Sequence, residues 1–274
     1  MTSTRVRAFI DACHPGPTAT VTVVVTVLAA AAGRDALGLL LVAGATLTGQ
    51  LSVGWCNDAY DAGRDRLAAR AAKPTVRGDV TARSLWIAAA LALTAAIVLS
   101  YVAAGPVGGT AHVLAVLSAW TYNLELKTTV LSPLPYAVSF GLVPAFVTYG
   151  LTPPSPPAAW LVATCALLGV GAHLANAIPD VESDEQVGAG GLVAAIGVRA
   201  SAVASLVCLV TAVGILAAQL AVAPWLAVGL VLVAAAGAVV VVARGEGPAL
   251  FRYVMGLAVV AVLLLVLAAG TLTA

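Results

Sequence analysis

The sequence predicts an all-α integral membrane protein, nine transmembrane helices packed as one bundle. Three observations predict it. Hydrophobic residues make up 61% of the 274 residues, charged residues only 9%, and the mean hydropathy is +1.04. A soluble domain carries about 25% charged residues. Apolar stretches long enough to span a bilayer recur along the whole length, and the few charges gather at one set of their ends.

The spans read, in order, as 18–33, 36–57, 83–104, 110–127, 133–151, 158–179, 200–221, 223–243 and 249–272. The first follows Arg5 and Arg7 and ends in Ala29–Ala32, the outline of a cleaved leader. Further spans follow at once, so it reads as a helix of the bundle. The second ends on a cluster of acids. The third and fourth are separated by Gly105–Gly109, and the fifth and sixth by Thr152–Pro157, short connections rich in Gly, Pro, Ser and Thr. The nearly continuous spans leave no room for a soluble domain, so residues 1–274 form a single transmembrane domain.

Orientation follows from the basic residues. Arg5, Arg7, Arg64, Arg66, Arg70, Lys73, Arg77, Arg83, Lys127, Arg199, Arg244 and Arg252 fall on the side of the N-terminus; of the 13 Lys and Arg only Arg34 falls opposite. The positive-inside rule places the N-terminus and these loops in the cytoplasm and the C-terminus outside. Of the 12 acids, only Asp35 lies on the outer side. Chemistry is therefore expected at the cytoplasmic face. No nucleic-acid partner is expected.

Two of the inner segments repeat a pattern. Asn57, Asp61 and Asp65 have the spacing N-x-x-x-D-x-x-x-D, and Asn176, Asp180 and Asp184 have it again. Steps of four put each set on one face of an α-helix, and Asp58 adds a further oxygen to the first. A single Asp past a span is ordinary solvation. Two matched sets, each terminating an outward-to-inward helix, point instead to a cation, because stacked carboxylates repel unless one joins them. Mg²⁺ wants hard oxygen ligands and shares them with substrate phosphates. It would neutralise a diphosphate and stabilise it as a leaving group. Lys73, Arg77 and Lys127 lie near enough to clamp phosphate oxygens, although inner-loop Lys and Arg also serve orientation alone.

The remaining candidates read more simply. Cys13, Cys56, Cys165 and Cys208 lack metal or redox spacing and are expected to pack. Trp55, Tyr60, Trp120, Tyr122, Tyr136 and Phe140 can line a cavity and face a cation, but individually each reads first as bundle packing. His112 and His173 lie inside spans and read as packed, hydrogen-bonded imidazoles.

The motifs Asn57-Asp58-x-x-Asp61-x-x-x-Asp65 and Asp180-x-x-x-Asp184 resemble those of the UbiA superfamily of intramembrane prenyltransferases. The likeness runs over nearly the whole chain and includes His14-Pro15, Lys73-Pro74, Gly78 and the stretch from Tyr122 through Lys127 to Thr129. The resemblance implies a central, cytoplasm-facing cavity binding Mg²⁺ and an isoprenyl diphosphate, with a lateral apolar opening to the bilayer. It implies Asn57, Asp58, Asp61 and Asp65 on one side of the metal–diphosphate site and Asp180 and Asp184 on the other. Lys73, Lys127, Tyr122 and, less directly, Arg77 would face the substrate, and the internal repeat adds Asn176. The implied reaction is ionisation of the allylic C–O bond, then attack by a lipophilic acceptor, with loops at Gly63, Gly78 and Gly188–Gly191 closing out water.

Family members that prenylate 4-hydroxybenzoate often carry a basic residue where this chain has Thr128, which argues against a carboxylated benzoate acceptor. Two alternatives remain: a cyclase that ionises the same diphosphate without an acceptor, and a secondary transporter. Transporter sites lie near the bilayer midplane, whereas these aspartates end their helices. The composition fits a bacterial plasma membrane protein.

Overall fold

The computed structural model describes residues 2–181, 190–220 and 224–244, with scattered positions between 253 and 273. Among the described residues every regular element is helical; one isolated bridge joins Pro157 to Thr273. The helices are α1 Thr2–Ala12, α2 Pro15–Ala31, α3 Ala36–Leu67, α4 Pro74–Arg77, α5 Ala82–Leu124, α6 Pro133–Thr148, α7 Ala159–Ala177, α8 Leu192–Ile196, α9 Val198–Gln219 and α10 Pro224–Arg244. Helices α3, α5, α7 and α9 are each long and apolar enough to cross a membrane. The pair α1–α2 passes the same test only as a span broken by a 62° bend.

The bend has a local cause. His14 sits in the left-handed region (φ 54°, ψ 69°), and Pro15 opens α2 where a missing N–H costs no helical bond. The corner is held from both sides. Thr18 Oγ1 donates to the Cys13 carbonyl at 2.7 Å, and the Cys13 backbone lies directly on α3. A Cβ at Gly54 would meet the Cys13 carbonyl oxygen at 2.6 Å, so only glycine lets the two backbones approach this closely.

α3 differs from its expected bounds in a way that matters. It starts where Asp35 caps it, Oδ1 accepting from the Gly38 N–H at 2.8 Å, but it runs on to Leu67 rather than ending at 57. The first carboxylate set therefore stands on regular helix. The expected third and fourth spans also appear, as two halves of α5 separated at Gly105 (φ 64°, ψ −167°) and Pro106. Gly105 takes a backbone conformation that a Cβ would strain, and Pro106 restarts the helix. The halves fold back on each other: Ser100 Oγ lies 2.7 Å from His112 Nδ1.

Packing follows chain order, with α2 on α3, α3 on α5, α5 on α6, α6 on α7, α7 on α9 and α9 on α10. The largest fully buried side chains include Phe146, Leu161, Leu209 and Leu216. Leu40, Leu91, Trp225 and Val233 are among many large apolar side chains left exposed, as surfaces facing lipid require. The expected ninth span, 249–272, falls largely outside the described residues.

Candidate active site

A cavity of about 380 Å³ opens at the end of the bundle where α3 finishes, lined by Asn57, Asp61, Asp65, Lys73, Tyr122 and Lys127 together with His14, Arg70, Ser132 and His173. Six of the residues singled out in the sequence thus meet in one space. α3 supplies the first three on successive turns of one face. Lys73 comes from the turn before α4, Tyr122 from the end of α5, and Lys127 from the 3₁₀ turn Leu126–Thr128 that follows it.

Each carboxylate of α3 has a cationic partner. Lys73 Nζ donates to Asp58 Oδ1 at 2.6 Å, and His14 Nε2 lies 2.9 Å from the same oxygen. Lys127 Nζ donates to both oxygens of Asp61. Arg70 Nη1 donates to Asp65 Oδ1 at 3.4 Å. The Asp58 and Asp65 side chains are only 1% and 2% exposed, so their negative charge depends on these partners. Asp58 Oδ2 and Asp65 Oδ2 are buried and have no hydrogen-bond partner among the described residues.

Those orphaned oxygens bear on whether a hard divalent cation fits. Asn57, Asp58, Asp61 and Asp65 offer only oxygen and amide donors, two carboxylate oxygens are unsatisfied, and anionic charge is concentrated at one helix end. That donor set suits Mg²⁺ and not a soft metal. Among the described residues no three His, Cys, Asp or Glu side chains already form a metal-binding group; the lysine ammoniums engage Asp58 and Asp61 instead.

The second set is placed differently. α7 ends at Ala177 and tightens into a 3₁₀ turn over Ile178–Asp180. Pro179 has no N–H to continue the α-helical ladder, so the expected single α-helical face through Asn176, Asp180 and Asp184 is interrupted there. Asn176 is exposed and outside the cavity lining. The Asp180 side chain and all of Asp184 lie outside the described residues. Arg77 also stands away from the cavity, bonded to Asp79 at 2.6 Å, to the Ala72 carbonyl at 2.6 Å and to Asp11 at 3.4 Å. It ties the loop to α1, and the Asp79 hydrogen bond raises its pKa further.

Several residues of the site were not singled out from the sequence as ligands. His14 was marked only as part of a resemblance. Asn123, buried next to Tyr122, accepts from Asn57 Nδ2 at 3.2 Å and donates to the Val53 carbonyl at 2.9 Å, fixing the orientation of the Asn57 side chain. His173 is the packed, hydrogen-bonded imidazole expected: its Nε2 lies 3.1 Å from Ser132 Oγ, and that oxygen accepts from the Leu192 N–H at 3.3 Å. Tyr122, Tyr136 and His173 form an aromatic wall, with Tyr122 edge-on to both at 5.0 and 5.5 Å. Lys127 Nζ stands 5.4 Å from the Tyr60 ring centroid. The cysteines pack: Cys13, Cys56 and Cys165 are buried and all four are free.

Structural comparison finds relatives that share this architecture. A structure concerning digeranylgeranylglyceryl phosphate synthase in membranes aligns with a TM-score of 0.73 and 15% identity over 97% of this chain and 98% of the other. A UbiA homologue from Archaeoglobus fulgidus bound to DMAPP and Mg²⁺ aligns at 0.72 and 14% identity, over 96% and 98%. The apo UbiA homologue from Aeropyrum pernix K1 aligns at 0.66 and 20% identity, over 88% and 95%. At these identities the likeness is one of fold. Comparison with curated proteins gives no match. The sequence itself matches the UbiA prenyltransferase family over residues 19–260, and the chain belongs to that family.

Proposed function

We propose that this chain transfers an isoprenyl group from an isoprenyl diphosphate to a lipophilic acceptor within the membrane, with Mg²⁺ as cofactor. The observation that carries the reading is the meeting of Asn57, Asp61, Asp65, Lys73 and Lys127 around one cavity beside an aromatic wall. Support for the ligand comes from the A. fulgidus homologue bound to DMAPP and Mg²⁺.

In this reading Asn57, Asp58, Asp61 and Asp65 hold the metal from α3, and Asp180 and Asp184 hold it from beyond α7. When bound, Mg²⁺ supplies charge neutralisation for the departing diphosphate. Lys73 and Lys127 hold phosphate oxygens and stabilise the charge that grows on them as the allylic C–O bond breaks. Asn123 keeps Asn57 turned toward the site. Tyr122, which lines the cavity, supplies ring electrons that would stabilise an allylic cation without attacking it. The acceptor's electron pair then forms the new bond to the isoprenyl carbon, and its proton leaves. Arg77 and Asn176, which do not line the cavity, take no part in this step.

The same reading makes residues 1–274 one transmembrane domain of nine spans, with N-terminus and site in the cytoplasm of a bacterial cell and C-terminus outside. The test is incubation of the purified protein with Mg²⁺ and geranyl diphosphate, with and without a panel of aromatic and lipid acceptors. Prenylated acceptor with matching diphosphate release is expected. A cyclic hydrocarbon formed without acceptor would overturn the transferase in favour of a cyclase, and absence of any diphosphate release would overturn both.

A further inference from the structure

The carboxylates at the end of α3 present a charge problem. Three carboxylates stand within two turns of α3, and each is matched by a cation: Asp58 by Lys73, Asp61 by Lys127, Asp65 by Arg70. Two of these aspartates are almost wholly buried, where an unpaired ionised carboxylate is strongly disfavoured. The same two lysines are the groups that the proposed function needs on the diphosphate. Lys127 already spends two of its three N–H groups on Asp61 and Lys73 one on Asp58, so neither can turn fully to a phosphate without loosening its carboxylate.

We propose that Lys73 and Lys127 are exchangeable counter-ions: they neutralise Asp58 and Asp61, and would pass to the diphosphate as it arrives with the metal, so that cation and diphosphate bind only together. The inference rests on the metal–diphosphate reading above and deepens it. A divalent cation arriving alone meets Asp61 with both oxygens held by Lys127 and Asp58 with one oxygen held by Lys73 and His14. The free Asp58 Oδ2 and Asp65 Oδ2 alone give it an incomplete shell, and to take Asp61 as well it must displace an ammonium that then has no anion to go to. A diphosphate arriving alone offers the lysines a new partner but leaves Asp58 and Asp61 uncompensated beside a polyanion. Arriving together, the two ligands solve each other's problem. The ammoniums move to phosphate oxygens, and the released carboxylate oxygens join Asp58 Oδ2 and Asp65 Oδ2, which already lack a partner.

The backbone is arranged for such an exchange. Lys73 precedes Pro74, whose ring fixes the start of α4, and Lys127 sits in a 3₁₀ turn packed so closely that a Cβ at Gly191 would lie 2.6 Å from the Lys127 carbonyl. The anchors are fixed, and only the four-carbon stems need swing. A lysine suits this better than an arginine, whose planar fork commits to one bidentate geometry.

The test is ligand-induced thermal stabilisation of the full chain in nanodiscs, using Mg²⁺ alone, inorganic diphosphate with EDTA, and both together. The combined shift is expected to exceed the sum of the separate shifts at least threefold. A second measurement uses Mn²⁺ alone, followed by the loss of its free electron paramagnetic resonance signal. Lys127→Met and Lys73→Met are expected to bind Mn²⁺ alone on the order of tenfold more tightly than the unmodified chain, because the ammonium no longer competes. Additive shifts in the unmodified chain would overturn the exchange even if the lysine variants fail to fold. Unchanged Mn²⁺ affinity in folded variants would do the same. No stabilisation by the pair would overturn the metal–diphosphate reading itself, a distinct outcome.

Discussion

The two ends of α3 carry charge in opposite ways. At its start, Arg34 and Asp35 border an open pocket of about 660 Å³, larger than the cavity at the other end. Yet both residues are committed to backbone: Asp35 caps the helix at Gly38, and Arg34 Nη2 donates to the Ala103 carbonyl beside the Gly105 corner. At the far end Asp58, Asp61 and Asp65 are matched by side chains from other segments, Lys73, Lys127 and Arg70. Backbone partners cannot be exchanged without unwinding a helix end; side-chain partners can. Volume is thus a poor guide to which end is chemical, and the kind of partner is the better one.

The largest expected effect on this contrast comes from the carboxylates. Asp61→Ala and Asp180→Ala are each expected to lower diphosphate release by at least 10²-fold, and EDTA is expected to do the same; release at the unmodified rate in either variant would remove the metal site. Next comes the corner that seats His14. Gly54→Val would push its side chain into the Cys13 carbonyl, with an expected cost of about 1–3 kcal/mol read as a lower melting temperature, and a fall in turnover as His14 leaves Asp58. At the quiet end, Asp35→Ala should cost about 1 kcal/mol of stability through loss of the cap while leaving turnover per folded molecule intact. A loss of turnover there would erase the distinction between the two ends. The mildest change is topological: cysteine placed at the exposed Ala71 should be labelled only from the cytoplasmic side, and cysteine at the exposed Thr152 only from outside, with activity retained in both.

The first carboxylate set was legible because its order is local. Spacing along one helix decides which side chains share a face, and regular backbone through Leu67 preserves that face. The second set had the same spacing, but Pro179 sits inside it and shortens the α-helix before Asp180. A counting rule that ignored proline's missing donor did not foresee the 3₁₀ turn over Ile178–Asp180. The pairings Lys127–Asp61 and Asn57–Asn123 could not be read at all, since each joins α3 to the segment ending α5, with 66 residues between the partners. His14 hid for a related reason: its reach to Asp58 depends on the Gly54 contact, which no periodicity announces. Arg77 had the right residue type and neighbourhood, but Asp79 and Asp11 hold it elsewhere.

The 32 residues of α3 make a helix about 48 Å long, against a hydrocarbon layer about 30 Å thick. If its capped start at Asp35 lies at one border of that layer, its last turns would reach the height of the lipid headgroups on the other side. A prenyl diphosphate dissolved in the membrane keeps its own charged end at that same height while its tail stays in the oil. Under the proposed function such a molecule would not need lifting out to reach Asp61 and Lys127; it would drift sideways in a plane until the two levels coincide. The overhang of one helix would then turn substrate capture from a search through a volume into a search over a surface.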